Sequence, residues 1–435
     1  MSATTTDPQT RQRRAMMGAF VGTAIEWYDF FIFGTAAALV FGRVFYPDIA
    51  PAAALMASFA TFWVGFLARP IGGIIFGHFG DKLGRKNILI ITLLMMGAAT
   101  TMIGLLPGYV TIGIWAPVLL VVLRAVQGIA VGGEWGGAVL LATENAAGTK
   151  RGLAGAWVQQ GSPAGAILAT VAFMIVGALP DEAFLSWGWR IPFLVSAVLV
   201  LIALVIRLKV EESKDFEEAK SKQAVVKLPL MQTLRTAPGI VGLGIIASIM
   251  GISFAYFTNT FLLSWTTTDL GIDRQIMLNI LLGFAVLQFI WQPLAAKIAE
   301  RVGATRVMVA GLAFAVVMAA PFFWAIQTGQ PMLIAVMLYL STLGGTAYYA
   351  LLANALAEAF PANIRYTGVS LSYQLCSSLI GGSTPLIAQA ILNSTGGPWG
   401  VAAFYVGLLL ATIVGVHGLA AAGRRAREAA EPAAV

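Results

Sequence analysis

Five ionisable side chains stand inside long apolar runs. Glu26 and Asp29 lie in the first run, Arg69 in the second, and Arg124 and Glu134 in the fourth. A charge held at lipid depth is costly unless it is paired or hydrated, so each marks a site that moves ions or protons. Asp29 is near the middle of its run. Arg124 lies about ten residues into the fourth, ~15 Å at ~1.5 Å per residue, which places the two at similar depth from opposite directions. A carboxylate beside a guanidinium favours its charged form; when the guanidinium turns to an incoming anion, the carboxylate can take a proton. Proton and anion binding then reinforce one another, which is what symport requires. The plainer alternative is a static buried pair that fixes helix packing. Glu26 shares a helix face with Asp29 at i, i+3, and is placed to share the proton or to pair with Arg124. Arg69 and Glu134, in the inner parts of their runs, are expected to form a gating pair.

Polar side chains on otherwise apolar helices are the candidate substrate contacts: Tyr28, Arg124, Gln127, Gln159, Gln160, Tyr256, Asn259, Gln288, Tyr348, Asn354, Tyr373 and Gln374, with Gln292 and Tyr349 beside them. Any one of these is more commonly an interhelical hydrogen bond than a ligand contact. Arg124 is the best carboxylate partner, because its planar fork suits bidentate anion recognition. A repeat frames several of them: Glu144 precedes Arg151, and Glu358 precedes Arg365, by the same interval, about half a chain length apart. Gln159 and Gln160 follow the first arginine at the steps where Tyr373 and Gln374 follow the second. The repeat points to a duplicated membrane bundle with a solute path in the seam between its halves.

The elements that must position these groups are membrane helices. The 435-residue chain is 58% hydrophobic and 11% charged, with a mean hydropathy of +0.82, too apolar for a water-exposed surface. Twelve segments have the ~20 apolar residues that a bilayer requires. They fall at 16–42, 53–78, 88–106, 113–142, 152–179, 188–208, 238–267, 275–297, 306–327, 331–357, 366–392 and 398–422. The expected organisation is all-α, a cytoplasmic N-terminus at 1–15, a six-helix bundle at 16–208, a partly helical cytoplasmic linker at 209–237, a second bundle at 238–422 and a cytoplasmic tail at 423–435. With the N-terminus inside, 22 of the 27 Lys and Arg residues fall on the cytoplasmic side, so the positive-inside rule places both termini in the cytoplasm. The net charge of +7 is thereby a matter of topology, and no nucleic-acid partner is expected. One cysteine, Cys376, and two distant histidines, His78 and His417, give no disulfide and no metal cluster. No nucleophile–base set or nucleotide loop appears, so neither an enzyme nor a cofactor is expected. Gly132-Gly133 and Gly136-Gly137 read as packing glycines, since no strand precedes them.

Between the second and third segments stands Gly77-His78-Phe79-Gly80-Asp81-Lys82-Leu83-Gly84-Arg85-Lys86. This resembles the loop signature G-x-x-x-D-[RK]-x-G-R-[RK] of the major facilitator superfamily, where it latches the inner ends of the two halves. The second copy, around Glu300 and Arg301, is degraded. Further stretches resemble the metabolite:proton symporter family: Ile25-Glu26-Trp27-Tyr28-Asp29-Phe30, Arg69-Pro70-Ile71-Gly72-Gly73, Gly132-Gly133-Glu134-Trp135-Gly136-Gly137, and Ser186-Trp187-Gly188-Trp189-Arg190-Ile191-Pro192-Phe193. The resemblance implies a twelve-helix transporter of the inner (plasma) membrane, working as a monomer and driven by the proton gradient. The small-molecule cargo it implies is an organic acid such as shikimate or a di- or tricarboxylate. A zwitterion such as proline or betaine, or a proton-driven exporter, is the alternative. It also implies that Glu144, Arg151, Glu358 and Arg365 belong to a cytoplasmic charge network, and that Asp29 with Arg124 resembles the aspartate–arginine pair of proton-coupled sugar carriers.

Overall fold

Each of the twelve apolar segments holds helix. The computed structural model describes the backbone at residues 8–83, 85–132, 159–208, 229–361 and 364–430, with side chains at 17, 20–76, 87–132, 159–206, 208, 231–361, 364–365 and 367–425. The helices are α1 (Pro8–Leu39), α2 (Pro51–Leu67, resumed at Arg69–Leu83), α3 (Arg85–Leu105), α4 (Trp115–Gly132), α5 (Gly161–Gly177) and α6 (Arg190–Leu208). The second set is α7 (Pro238–Tyr256 and on to Asp269), α8 (Arg274–Val302), α9 (Ala304–Thr328), α10 (Pro331–Ala359), α11 (Arg365–Cys376 and on to Thr395) and α12 (Pro398–Ala430). Among the described residues nine helices are long and apolar enough to span a bilayer, and a bent pair ending in α6 makes a tenth. No strand occurs among the described residues. The helix boundaries follow the breaker residues: proline opens α2, α10 and α12, and Gly329 and Gly396, at φ 66° and 64°, end α9 and α11. A side chain at either glycine would strain that left-handed turn. Of the expected linker, Pro229–Thr236 is a short helix packed on α7 and α11; 209–228 lies outside the described residues.

The packing pairs of the first six helices recur in the second six. α1 packs on α5 and α6, α2 on α4, and α3 on α4 and α6. In the other half α7 packs on α11 and α12, α8 on α10, and α9 on α10 and α12. Small residues set the closest approach. A side chain at Gly128 or Gly132 of α4 would strike the backbone carbonyl of Gly65 or Arg69 on α2, and one at Gly72 would strike that of Ile129. Lipid tails are as apolar as the side chains they meet, so such backbone-to-backbone contact is what holds membrane helices together.

The halves meet along α1–α7, α2–α11 and α5–α8. At the distal face, where α1 ends and α2 begins, the contact is polar. Arg274, at the start of α8, forms an ion pair with Asp181 and donates to the carbonyls of Gly177 (2.9 Å), the last residue of α5, and Leu179 (2.7 Å) just after it. Its neighbour Gln275 donates to the carbonyl of Met174 at 3.2 Å. Deeper in the seam, Trp63 of α2 donates to the carbonyl of Ser378 at 2.7 Å, and Ser378 donates back to that of Phe66 at 2.7 Å.

Candidate functional site

Among the described residues, only four Asp, Glu, Lys or Arg side chains are buried: Glu26, Asp29, Arg69 and Arg124. All four belong to the first half. Asp29 is 1% exposed. Its Oδ1 accepts from Ser196 of α6 at 2.6 Å and its Oδ2 from Thr100 of α3 at 2.9 Å. The expected neighbour, Arg124, does not bond to it directly. Two neutral side chains stand between: Arg124 Nη1 donates to Gln127 Oε1 (3.1 Å), and Gln127 Nε2 donates to Thr100 Oγ1 (2.7 Å). The pair foreseen from depth is therefore a hydrogen-bonded chain, Arg124–Gln127–Thr100–Asp29. Its physical reason lies in α2, where Gly65 leaves room for the guanidinium to lie flat, and the Phe62 carbonyl accepts from Arg124 Nε at 3.3 Å. The guanidinium sits 4.1 to 5.7 Å from the ring centroids of Phe30, Phe33, Phe62 and Phe66. Ring faces stabilise a cation that has left water.

Thr100 has a second acceptor. Its hydroxyl also lies 2.9 Å from the Met96 carbonyl one turn back. Were Asp29 to take up a proton, the Thr100 hydroxyl could turn to Met96, leaving an oxygen lone pair to receive the new O–H. Thr100 and Asp29 each keep a hydrogen-bond partner in either state.

Arg69 lies nearer the seam. Its guanidinium is 4.3 and 4.4 Å from the rings of Phe30 and Phe66, and its Nη1 donates to Ser377 of α11 at 3.1 Å, across the halves. Tyr256 of α7 packs among Phe62, Phe66, Trp27 and Phe31, with centroids 5.0 to 6.1 Å away. It lies within electrostatic reach of Arg69, Arg124 and Glu26, and Tyr349 within reach of Glu26. The Tyr349 hydroxyl is among Tyr373, Ser162 and Gln159. Gln159 donates to the Tyr349 carbonyl (3.5 Å) and Gln160 to that of Phe289 (3.2 Å), both across the seam.

Several candidate contacts face elsewhere. Tyr28 donates to the Pro192 carbonyl on α6 at 2.7 Å, tying α1 to its own half. Tyr348 likewise bonds the Ala247 carbonyl on α7, and Asn259 bonds the carbonyl of Ala255 on its own helix at 2.9 Å. Gln288 and Asn354 are half-buried on α8 and α10. Tyr373 and Gln374 are buried on α11, followed by the only cysteine of the chain, Cys376, also fully buried. Directly beyond them α11 widens into a π-helical turn, Ser377–Gly381; α7 does the same at Phe257–Leu262, directly after Tyr256. Such turns frequently occur at functional sites. At the terminal face Arg365 Nε donates to the Phe360 carbonyl at 3.3 Å, and Glu358 is exposed. Gly84, Glu134, Glu144 and Arg151 lie outside the described residues. So do the side chains of Asp81, Lys82, Arg85 and Lys86, although Gly77 to Lys86 is helical on either side of Gly84.

Thr100, Ser196, Ser377 and the four phenylalanines are the site residues that sequence reading did not find. Hydroxyls and rings are ordinary in apolar helices. The one usable signal was the i, i+3 step from Arg124 to Gln127.

Comparison with known proteins identifies the family and agrees with the fold. The family model described as Major Facilitator Superfamily matches residues 19–385 and, again, 243–434. The chain is 43% identical to the shikimate transporter of Escherichia coli over 91% of its own length and 92% of that protein's. It is 40% identical to the inner membrane metabolite transport protein YhjE of Escherichia coli, over 94% and 93%. It is 34% identical to the glycine betaine/proline/ectoine/pipecolic acid transporter OusA of Dickeya dadantii, over 88% and 78%. Among solved structures, a D-xylose-proton symporter superposes with a TM-score of 0.71 at 18% identity, over 92% and 96% of the two chains.

Proposed function

This chain belongs to the major facilitator superfamily and is a membrane transporter, and from that premise we propose that it carries a small organic acid together with a proton. The observation that carries the reading is the balance of the buried charges. Among the described residues the chain buries two acids, Glu26 and Asp29, and two arginines, Arg69 and Arg124. Ionised, they sum to zero. A monoanionic substrate entering this site adds one uncompensated charge in a medium that penalises it heavily. A proton on Asp29 restores neutrality. Substrate and proton then favour each other's binding, and neither crosses cheaply alone.

The hydrogen-bonded chain supplies the means. An anion that draws Arg124 away from Gln127 loosens Gln127 on Thr100, and Thr100 on Asp29. The carboxylate loses donors that favour its charged form, and takes up a proton. The resemblance to a shikimate transporter supports a cyclic or short-chain carboxylic acid as cargo. The excess of Lys and Arg in the loops of one face supports an inner-membrane orientation with both termini cytoplasmic.

A second reading rests on a different feature. Trp27, Phe31 and Tyr256 stack around the same space, and aromatic faces attract quaternary ammonium groups. A betaine-like zwitterion would bring its own balancing charge and need no proton for neutrality.

The test is uptake by the purified protein in proteoliposomes, using labelled shikimate, di- and tricarboxylates, proline and betaine, with and without an inward proton gradient. Gradient-stimulated accumulation of an acid, abolished by Asp29→Asn, supports the first reading. Betaine or proline uptake that persists in Asp29→Asn replaces it with the second.

A further inference from the structure

We propose that Arg69, Gln374 and Ser377 form a carboxylate-binding site that straddles the two halves; it rests on the reading above and names where the acid's carboxylate is first captured, before it reaches Arg124. Arg69 is 6% exposed and its guanidinium is fixed between Phe30 and Phe66. Its Nη1 reaches Ser377, but its Nε is buried without a hydrogen-bond partner. Gln374 is also 6% exposed, and both its amide oxygen and its amide nitrogen are buried without a partner. Buried side-chain amides are nearly always satisfied, and this one is orphaned at both atoms.

Gln374 precedes Ser377 and Ser378 by one helical turn, which puts the three on one face of α11. Ser377 and Ser378 are the residues that touch Arg69 and the Phe66 carbonyl on α2. The orphaned amide therefore faces α2, the helix that carries the orphaned guanidinium N–H. A guanidinium edge and an amide N–H are the donors that a carboxylate accepts. The amide oxygen remains for a hydroxyl on the same ligand. Tyr256 and Tyr373 are within electrostatic reach of Arg69 and flank the space with further hydroxyls.

Arg124 is less suited to first capture. It is fully buried, and two of its three nitrogens are committed to Phe62 and Gln127 of its own half, which leaves only Nη2 without a partner. Arg69 is the guanidinium that already contacts the opposite half. A carboxylate held between it and Gln374 draws α2 and α11 together, so occupancy itself favours closure. The widening of α11 begins at Ser377, the very residue Arg69 holds. The site thus sits at the one turn of α11 whose hydrogen bonding is already irregular.

The experiment measures shikimate and its uncharged methyl ester by equilibrium binding to detergent-solubilised protein, and shikimate uptake in proteoliposomes. Arg69→Lys keeps the charge but loses the fork; Gln374→Glu keeps the shape but repels an anion. Each is expected to weaken shikimate binding about tenfold or more and to raise KM accordingly, while the weak binding of the ester changes little. Gln374→Leu, retaining wild-type thermal stability, guards against a folding defect in the charged variant. Unchanged binding with a fallen maximal rate in all three variants overturns the site and makes Arg69 a gate. Weakened binding in the variants without gradient-driven accumulation in the wild type keeps the site and overturns symport. Wild-type protein that binds no acid overturns both.

Discussion

Asp29 is held by two hydroxyls from two other helices, and this decides what each substitution does. Removing the acid in Asp29→Asn ends proton coupling but leaves the packing of Thr100 and Ser196 nearly intact. Thr100→Val preserves shape and deletes the link between Gln127 and Asp29. A buried hydrogen bond to a charged group is worth about 1.5–3 kcal/mol, so the gradient-driven accumulation ratio should fall by about tenfold or more in Thr100→Val. Solute exchange without a gradient should survive. Counterflow and uphill uptake measured on the same vesicles check this, and equal losses in both would show that Thr100 only supports packing. The depth of Asp29 and Arg124 was legible from residue counts in their runs, because charges are rare there. The connection between them was not. Thr100 bonds its own helix at Met96 like many intramembrane threonines, and nothing in the sequence distinguishes the hydroxyl that also serves a carboxylate. Gly65 is equally silent, although it is the reason Arg124 lies flat against α2.

At the scale of elements, the distal contact between α5 and α8 combines two interactions of unequal weight. The Asp181 carboxylate is 73% exposed, and an ion pair so open to water is worth at most about 1 kcal/mol. The two carbonyls at the end of α5 have Arg274 as a donor, and losing it costs each about 0.5–1.5 kcal/mol. Arg274→Ala should therefore raise hydrogen–deuterium exchange at the distal ends of α5 and α8 by about tenfold. Asp181→Asn, like high salt, should raise it by less than about fivefold. Mass-spectrometric exchange on the two variants separates them; parity would mean that the ion pair carries the contact. Helix positions were legible from apolar length, and their ends from Gly-Pro punctuation. The cross-half partner of α5 was not, because Arg274 falls just outside the apolar run of α8 and reads as one more scattered charge. The exit of α1 was predictable within a few residues, yet its helix begins at Pro8, well before the apolar run, since the basic residues Arg11 to Arg14 are good helix formers.

At the scale of the whole molecule, the two halves share a packing plan and divide the chemistry. The buried charges described here belong to α1, α2 and α4, while the second half contributes buried glutamines, serines, threonines and tyrosines. In the sequence a duplicated plan was suggested by the Glu–Arg spacing, one copy of which lies outside the described residues. The division of labour follows from which apolar runs carry charges, and that was also legible. The seam geometry was hidden, because it depends on side chains from α2 and α11 that are more than 300 positions apart. If the balance of two acids against two arginines governs transport, one proton should accompany each monoanion with no net charge moved. Monoanion uptake at fixed proton gradient should then change less than about twofold when a valinomycin–potassium diffusion potential is imposed. Strong dependence on that potential would break the one-to-one accounting.

Cys376 gives the chain a native reporter. It is the sole thiol, and it is sealed from solvent between Gln374 and Ser377, on the helix that Arg69 grips. Maleimide modification of the unaltered protein should therefore be slow at rest and should quicken whenever α11 withdraws from α2. Its rate becomes a clock for seam opening that requires no engineered label, and a cargo that tightens the grip should slow it.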